Sequence, residues 1–118
     1  MFVETLRDIA DRLEGVDGVL LMGMDGLPIE KVVRNDSLNM EALTAEFTTV
    51  IKLTNLTTGE VNAGTLDEVI ILSDKMILLT KSITPEYFLL MILSQDSNLG
   101  RARFELKKAK YILEKEFV

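Results

Sequence analysis

The chain has 118 residues, enough for one domain with a single hydrophobic core, and its 47% hydrophobic and 27% charged residues are those of a globular protein. A net charge of −6 argues against nucleic acid as a partner and gives an anionic membrane surface no general attraction. There is no cysteine and no histidine, which excludes disulfides and thiolate metal sites and removes the commonest general base and zinc ligand together.

The opening MFVETLRDIADRL is an amphipathic helix. Phe2, Leu6, Ile9, Ala10 and Leu13 share one face, and Gly15 stops it. Glu4, Arg7 and Asp8 interrupt the apolar stretch that a signal peptide needs, so a cytoplasmic location is expected. Gly18–Met24 reads as a strand, Asp25-Gly26 as a tight turn and Leu27–Arg34 as the returning strand. Pro28 lacks an amide donor, which suits an edge strand or a strand entry. Asn35-Asp36-Ser37 supplies candidate caps for the helix that follows.

That helix, Leu38–Leu56, carries two apolar stripes. At about 100° per residue, Met40, Leu43, Phe47, Val50 and Ile51 fall on one side. Leu38, Ala42, Ala45, Thr49, Leu53 and Leu56 fall on the other, with Glu41, Thr44, Thr48, Lys52 and Asn55 as a polar stripe between. Two opposed stripes need two surfaces to bury them. One is the chain's own sheet; a second copy of the chain is the natural candidate for the other.

The helix fades in Thr57-Thr58-Gly59. Strands are expected over Thr65–Ser73, Met76–Ser82 and Tyr87–Leu93, separated by the turns Ser73-Asp74-Lys75 and Thr84-Pro85-Glu86. The first of these has no later neighbour for its far side and should form an open edge. YFLLMIL is apolar on both faces and reads as a central strand, and its run Phe88–Leu93 is far too short to span a membrane. Asn98 caps a last helix, Leu99–Phe117, with Leu99, Ala102, Leu106, Ala109, Leu113 and Phe117 inward. The expected fold is one α+β domain over 1–118, of order αββαβββα. Its five-stranded antiparallel sheet has the central helix on one face and the terminal helices on the other.

Little catalytic chemistry is legible. Gly59-Glu-Val-Asn-Ala-Gly64-Thr65 has the glycine spacing of a phosphate loop, but lacks its lysine and precedes a strand where that motif needs a helix. Asp67, Glu68 and Asp74 have no partner acid, base or metal ligand at a meaningful spacing. No cofactor and no metal are expected. Arg101, Arg103, Lys107, Lys108 and Lys110 make the last helix basic, laced by Glu105 and Glu114 as a solvated face. Opposite Leu106, Phe104 and Tyr111 stand one heptad apart and either mark a candidate binding surface or cover a neighbouring helix.

The element order, the segment Gly18-Val-Leu-Leu-Met-Gly-Met-Asp25-Gly26-Leu-Pro-Ile29, the helix Met40–Leu56 and Asn98-Leu99-Gly100-Arg101 together resemble the Roadblock family. That family is named for a dynein light chain and includes bacterial MglB-type regulators. The resemblance implies a Roadblock/profilin-like fold and a homodimer in which the central helices pack together and the strands after them join two sheets. It also implies a non-enzymatic regulator or scaffold for a small Ras-like GTPase or, in some members, for a motor. The chain shows no long terminal extension of the kind some bacterial members use on their GTPase, so strong activation of hydrolysis is not expected.

The expected dimer interface is Leu38, Ala42, Ala45, Thr49, Leu53 and Leu56, extended by Leu66, Ile70 and Leu72. The expected platform for a partner is the polar stripe Glu41, Thr44, Thr48, Lys52 and Asn55, with Phe104 and Tyr111 as the next surface. Two other readings compete. A small-ligand sensor or adaptor domain needs a pocket of convergent polar groups, and an enzyme needs an acid–base pair.

Overall fold

The computed structural model describes residues 2–117. Its centre is the strand Tyr87–Ser94, here β5, whose Phe88–Leu93 stretch is buried on both sides. Antiparallel neighbours flank it: β1 (Val16–Gly23) on one side and β4 (Met76–Thr84) on the other. β2 (Pro28–Val33) lies outside β1, and β3 (Glu68–Leu72) outside β4, so the sheet order is β2-β1-β5-β4-β3. Both β2 and β3 are open edges, as the sequence predicts for the strand after the long helix.

Alternation along the strands divides the core into two layers. Val19, Leu21, Leu79, Leu89 and Met91 point to one face. There they meet Leu6, Ile9 and Ala10 of α1 (Phe2–Arg12) and Ala102, Leu106 and Leu113 of α3 (Leu99–Leu113). Leu20, Met22, Leu78, Phe88, Leu90 and Ile92 point to the other face, under α2 (Met40–Glu60). Gly18 lies under the start of α2, where a Cβ would be 3.0 Å from the Met40 methyl. The expected split of one helix against two is therefore the fold observed.

Element ends differ by a few residues, each for a local reason. The hairpin is wider than a two-residue turn, with Met24–Leu27 between the strands. Gly26 takes φ +90 there, and the Asp25 carboxylate accepts from the Leu27 amide at 3.0 Å. The cap of α2 is Asn39, not a residue of Asn35-Asp36-Ser37. Its side chain accepts from the Ala42 amide at 3.1 Å, whereas Asn35 turns its oxygen onto Ser37. Asn98 caps α3 as expected, accepting from Arg101 at 3.0 Å. β3 is shorter than the span Thr65–Ser73, because its ladder to β4 runs only from Glu68 to Leu72. The last helix ends at Leu113 and tightens into a 3₁₀ turn, Glu114–Phe117. Phe117 stacks on Tyr87 at 4.4 Å and on Phe2 at 5.4 Å, tying the end of the chain to β5 and α1.

Glu105 corrects the reading of a solvated basic face. It is 4% exposed and lies between α1 and α3, where Arg12 and Lys108 each reach its carboxylate at 3.1 Å. Burial pushes its carboxyl up, but the hydrogen bonds from Lys108 and Arg12 outweigh that and hold it below the ordinary value of 4.5. A carboxyl lowered in the folded state stabilises the fold above pH 4.5, and the contribution is lost as pH falls through the lowered value. Glu105→Gln should cost on the order of 1–2 kcal/mol at neutral pH in urea unfolding, and the gap to wild type should close as the medium is acidified. A gap independent of pH would assign the loss to packing instead.

Candidate interaction surface

The surface left uncovered on α2 is the candidate site, since it carries the exposed apolar row that the sequence singles out. Among the described residues no group of His, Asp and Glu side chains is arranged to hold a metal, and no helix is long and apolar enough to cross a membrane. The two glycines do not share a loop: Gly59 lies inside α2, which runs on to Glu60, and only Gly64, at φ +91, belongs to the connection before β3.

The outer face of α2 is where the sequence puts it. Ala42, Ala45 and Thr49 are exposed. Leu53 and Leu56, 63% and 58% exposed, continue the row one to two turns on. Small residues occupy the first half and leucines the second, so a neighbouring helix could approach closely at one end and bury apolar bulk at the other. Leu38 does not join this row. It precedes the helix and packs, half-buried, against the inner layer. Leu66 also packs there. Ile70 and Leu72 are exposed, but Val69 and Ile71 turn toward α2, so by alternation Ile70 and Leu72 face the opposite side of the sheet. They lie at the open edge of β3 without touching the patch on α2.

The polar stripe is not an exposed platform. Glu41 and Lys52 are exposed, Asn55 is half-buried, and Thr44 and Thr48 are buried against the sheet. Conversely Val50, expected inside, is exposed. The helix is rotated so that Thr44, Thr48 and Ile51 point down and Val50 rides up. Threonine permits this because its methyl is apolar and its hydroxyl can bond its own helix. Thr44 donates to the Glu41 carbonyl at 3.1 Å, and on the other faces Thr49, Thr54 and Thr57 donate to Ala45, Val50 and Leu53. Thr48 is the exception: it is 3% exposed and its hydroxyl finds no partner among the described residues. A cleft of about 480 Å³ lies between the first half of α2 and the hairpin. Leu20, Pro28, Met40 and Ala45 line it, together with the charged Lys31 and Glu41. Sequence reasoning missed this cleft, since it depends on how α2 is rotated. Phe104 and Tyr111 both stand exposed on α3, as expected.

The sequence matches the profile of the Roadblock/LC7 domain over residues 2–93, from α1 through β5. The chain belongs to the Roadblock/LC7 family. Among solved structures, the Roadblock fold of this chain is similar to a Roadblock/LC7 domain from Streptomyces avermitilis. The two share 11% identity with a TM-score of 0.86, and the match covers 98% of this chain and 96% of that one. It is also similar to MglC from Myxococcus xanthus, at 23% identity and a TM-score of 0.70, covering 98% and 99% of the two chains. A third similar structure is Myxococcus xanthus MglB, at 17% identity and a TM-score of 0.81, covering 97% and 89%. A search of curated proteins gives no match. With identities this low the likeness carries the Roadblock fold, and the surfaces must be read from this chain's own residues.

An orphaned hydroxyl beneath α2 of a Roadblock domain is a stability cost that substitution can remove. Thr48→Val keeps the shape and deletes the unpaired group. It should raise stability by about 1 kcal/mol in urea unfolding at fixed protein concentration. A lower midpoint would mean that the hydroxyl has a partner in solution.

Proposed function

We propose that this Roadblock domain is a homodimeric, non-enzymatic scaffold that binds and regulates a small Ras-like GTPase in the cytoplasm. The observation that carries the reading is the outer face of α2, where Leu53 and Leu56 stand in water above a helix already seated on its own sheet. Burying one such leucine is worth roughly 1.5–3 kcal/mol before entropy is counted, and a two-fold contact buries each one twice. Ala42, Ala45 and Thr49 allow the close crossing. The open edge of β3, with Ile70 and Leu72 beside it, supplies antiparallel strand pairing across the same axis. Leu38 and Leu66 contribute at most by supporting the helix and strand from beneath.

The GTPase reading rests on family membership and on the surfaces that such a dimer leaves free. Glu41 and Lys52 flank the paired helices, and the cleft of Leu20, Pro28, Met40 and Ala45 lies at each flank. Thr44 and Thr48 act there only from below, as spacers that set the rotation of α2, with Asn55 at the margin. Phe104 and Tyr111 lie on the opposite side of the sheet, and this reading does not require them.

Two measurements test it. In light scattering at micromolar concentration the wild type should have the mass of a dimer. Ala45→Glu, which sets like charges across the axis, should have that of a monomer with helical content retained. A monomeric wild type would end the dimer reading. Titration with the Ras-like GTPases of the same genome, each loaded with GDP or with a GTP analogue, should give binding that depends on the nucleotide and weakens at least tenfold in Ala45→Glu. Absence of binding to every such GTPase would overturn the regulatory role while leaving the dimer standing.

A further inference from the structure

α3 presents a surface that the proposed dimer leaves free, because it lies across the sheet from α2. Phe104 and Tyr111 stand 57% and 59% exposed on its outward side. Seven residues apart, they are about 10 Å apart along the axis and on nearly the same line. The Lys108 ammonium lies 5.0 Å from the centre of the Phe104 ring. Two exposed aromatics held in line on a rigid helix are unlike scattered surface apolar residues, and large exposed rings serve as anchors in protein contacts.

The charge around them is opposite in sign to that of the chain. α3 carries Arg101, Arg103, Lys107, Lys108 and Lys110 against Glu105 alone, in a protein of net charge −6. Some of these cations are already paired within the chain. Arg103 holds Glu68 at 2.6 Å, Lys108 holds Glu105, and Lys110 lies 3.8 Å from Asp67. Arg101 and Lys107 form no ion pair among the described residues. Beside Tyr111 a cleft of about 340 Å³ opens between α3 and the β3–β4 edge, lined by Lys81, Lys107 and Lys110 against Asp67 and Glu114.

We propose that this face of α3 docks an acidic amphipathic helix of a partner protein. Phe104 and Tyr111 supply a seam with heptad spacing, which a second helix fills with apolar residues of the same spacing. Acidic side chains flanking that stripe meet Lys107 on one shoulder and Arg101 on the other. A nucleic acid is the poorer occupant: its extended charge meets the net negative charge of the rest of the chain, whereas a helix brings a few carboxylates and an apolar stripe to cover the rings. The surface is independent of α2, so the partner and a GTPase can be held at once.

The test uses the full chain, isotope-labelled, and two synthetic helical peptides with the same leucine stripe, one flanked by Glu and one by Lys. The Glu peptide should shift the amides of residues 101–112 and leave those of α2 unmoved. Its affinity should fall at least tenfold in Phe104→Ser/Tyr111→Ser and in Lys107→Glu. All of these residues are exposed, so each variant should keep the mass and the melting temperature of the wild type. The Lys peptide should bind at least tenfold more weakly than the Glu peptide. Equal binding of both peptides, shifts mapping elsewhere, or no shift at millimolar peptide would overturn the proposal. Tighter binding of a single-stranded oligonucleotide or of phosphatidylserine vesicles to the same residues would overturn it in favour of those ligands.

Discussion

β5 must be covered on both faces, and the arrangement of the rest follows from that requirement. Phe88, Leu90 and Ile92 need one cover and Leu89, Met91 and Leu93 another. A strand of this kind cannot sit at an edge, so it takes β1 and β4 as neighbours. Its two apolar faces then call for helices above and below. α1 and α3 share one face, each contributing a narrow row of leucine, isoleucine or alanine. α2 covers the other alone, and a single helix cannot cover five strands. The uncovered flank over β2 and the uncovered outer side of α2 both follow from this asymmetry.

The same asymmetry separates the two candidate surfaces. Contacts through α2 use a helix whose inner side is a row of threonines and partly buried apolar residues. Contacts through α3 use a helix fixed from beneath by Ala102, Leu106 and Leu113 and clamped sideways by Glu105 and Glu68. The ion pairs on α3 thereby do two things. They link the helix to α1 and to β3 and its preceding loop, and they consume part of its positive charge, leaving Arg101 and Lys107 without an ion pair among the described residues. The family match covers α2 and ends at residue 93, before α3 begins, so both surfaces are read from this chain's own residues.

The order of the elements and the layering of the fold are legible in the sequence, because period and punctuation agree at most elements, α2 being the exception. The apolar run VLLM, the two-sided run YFLLMIL and the Asn98 cap each carry one unambiguous physical meaning. The site was legible in part. The row Ala42, Ala45, Thr49, Leu53 and Leu56 was identified because only small and apolar residues occupy that side. The rotation of α2 was not, because threonine counts as polar in a periodicity argument while behaving as a small apolar residue once its hydroxyl is bonded to its own helix. Thr44 and Thr48 consequently exchanged places with Val50. Glu105 was misread for a related reason: a carboxylate on a basic helix looks solvated until the neighbouring helix brings Arg12 against it, and that neighbour is 93 residues away in the chain.

The two open edges of the sheet are not equivalent, and the difference decides what kind of assembly the chain can form. Pairing β3 with β3 about a two-fold axis is self-limiting, since each copy has one such strand and it is used once. The free β2 strands would then stand at the far ends of the joined sheet, and pairing there as well would continue without end into a fibre. β2 is poorly suited to it. Pro28 has no amide to donate, the register breaks between Leu21 and Met22 opposite it, and Lys31 puts a charge on the strand. By this geometry the chain has one edge that can close an assembly and one that blocks its growth into filaments.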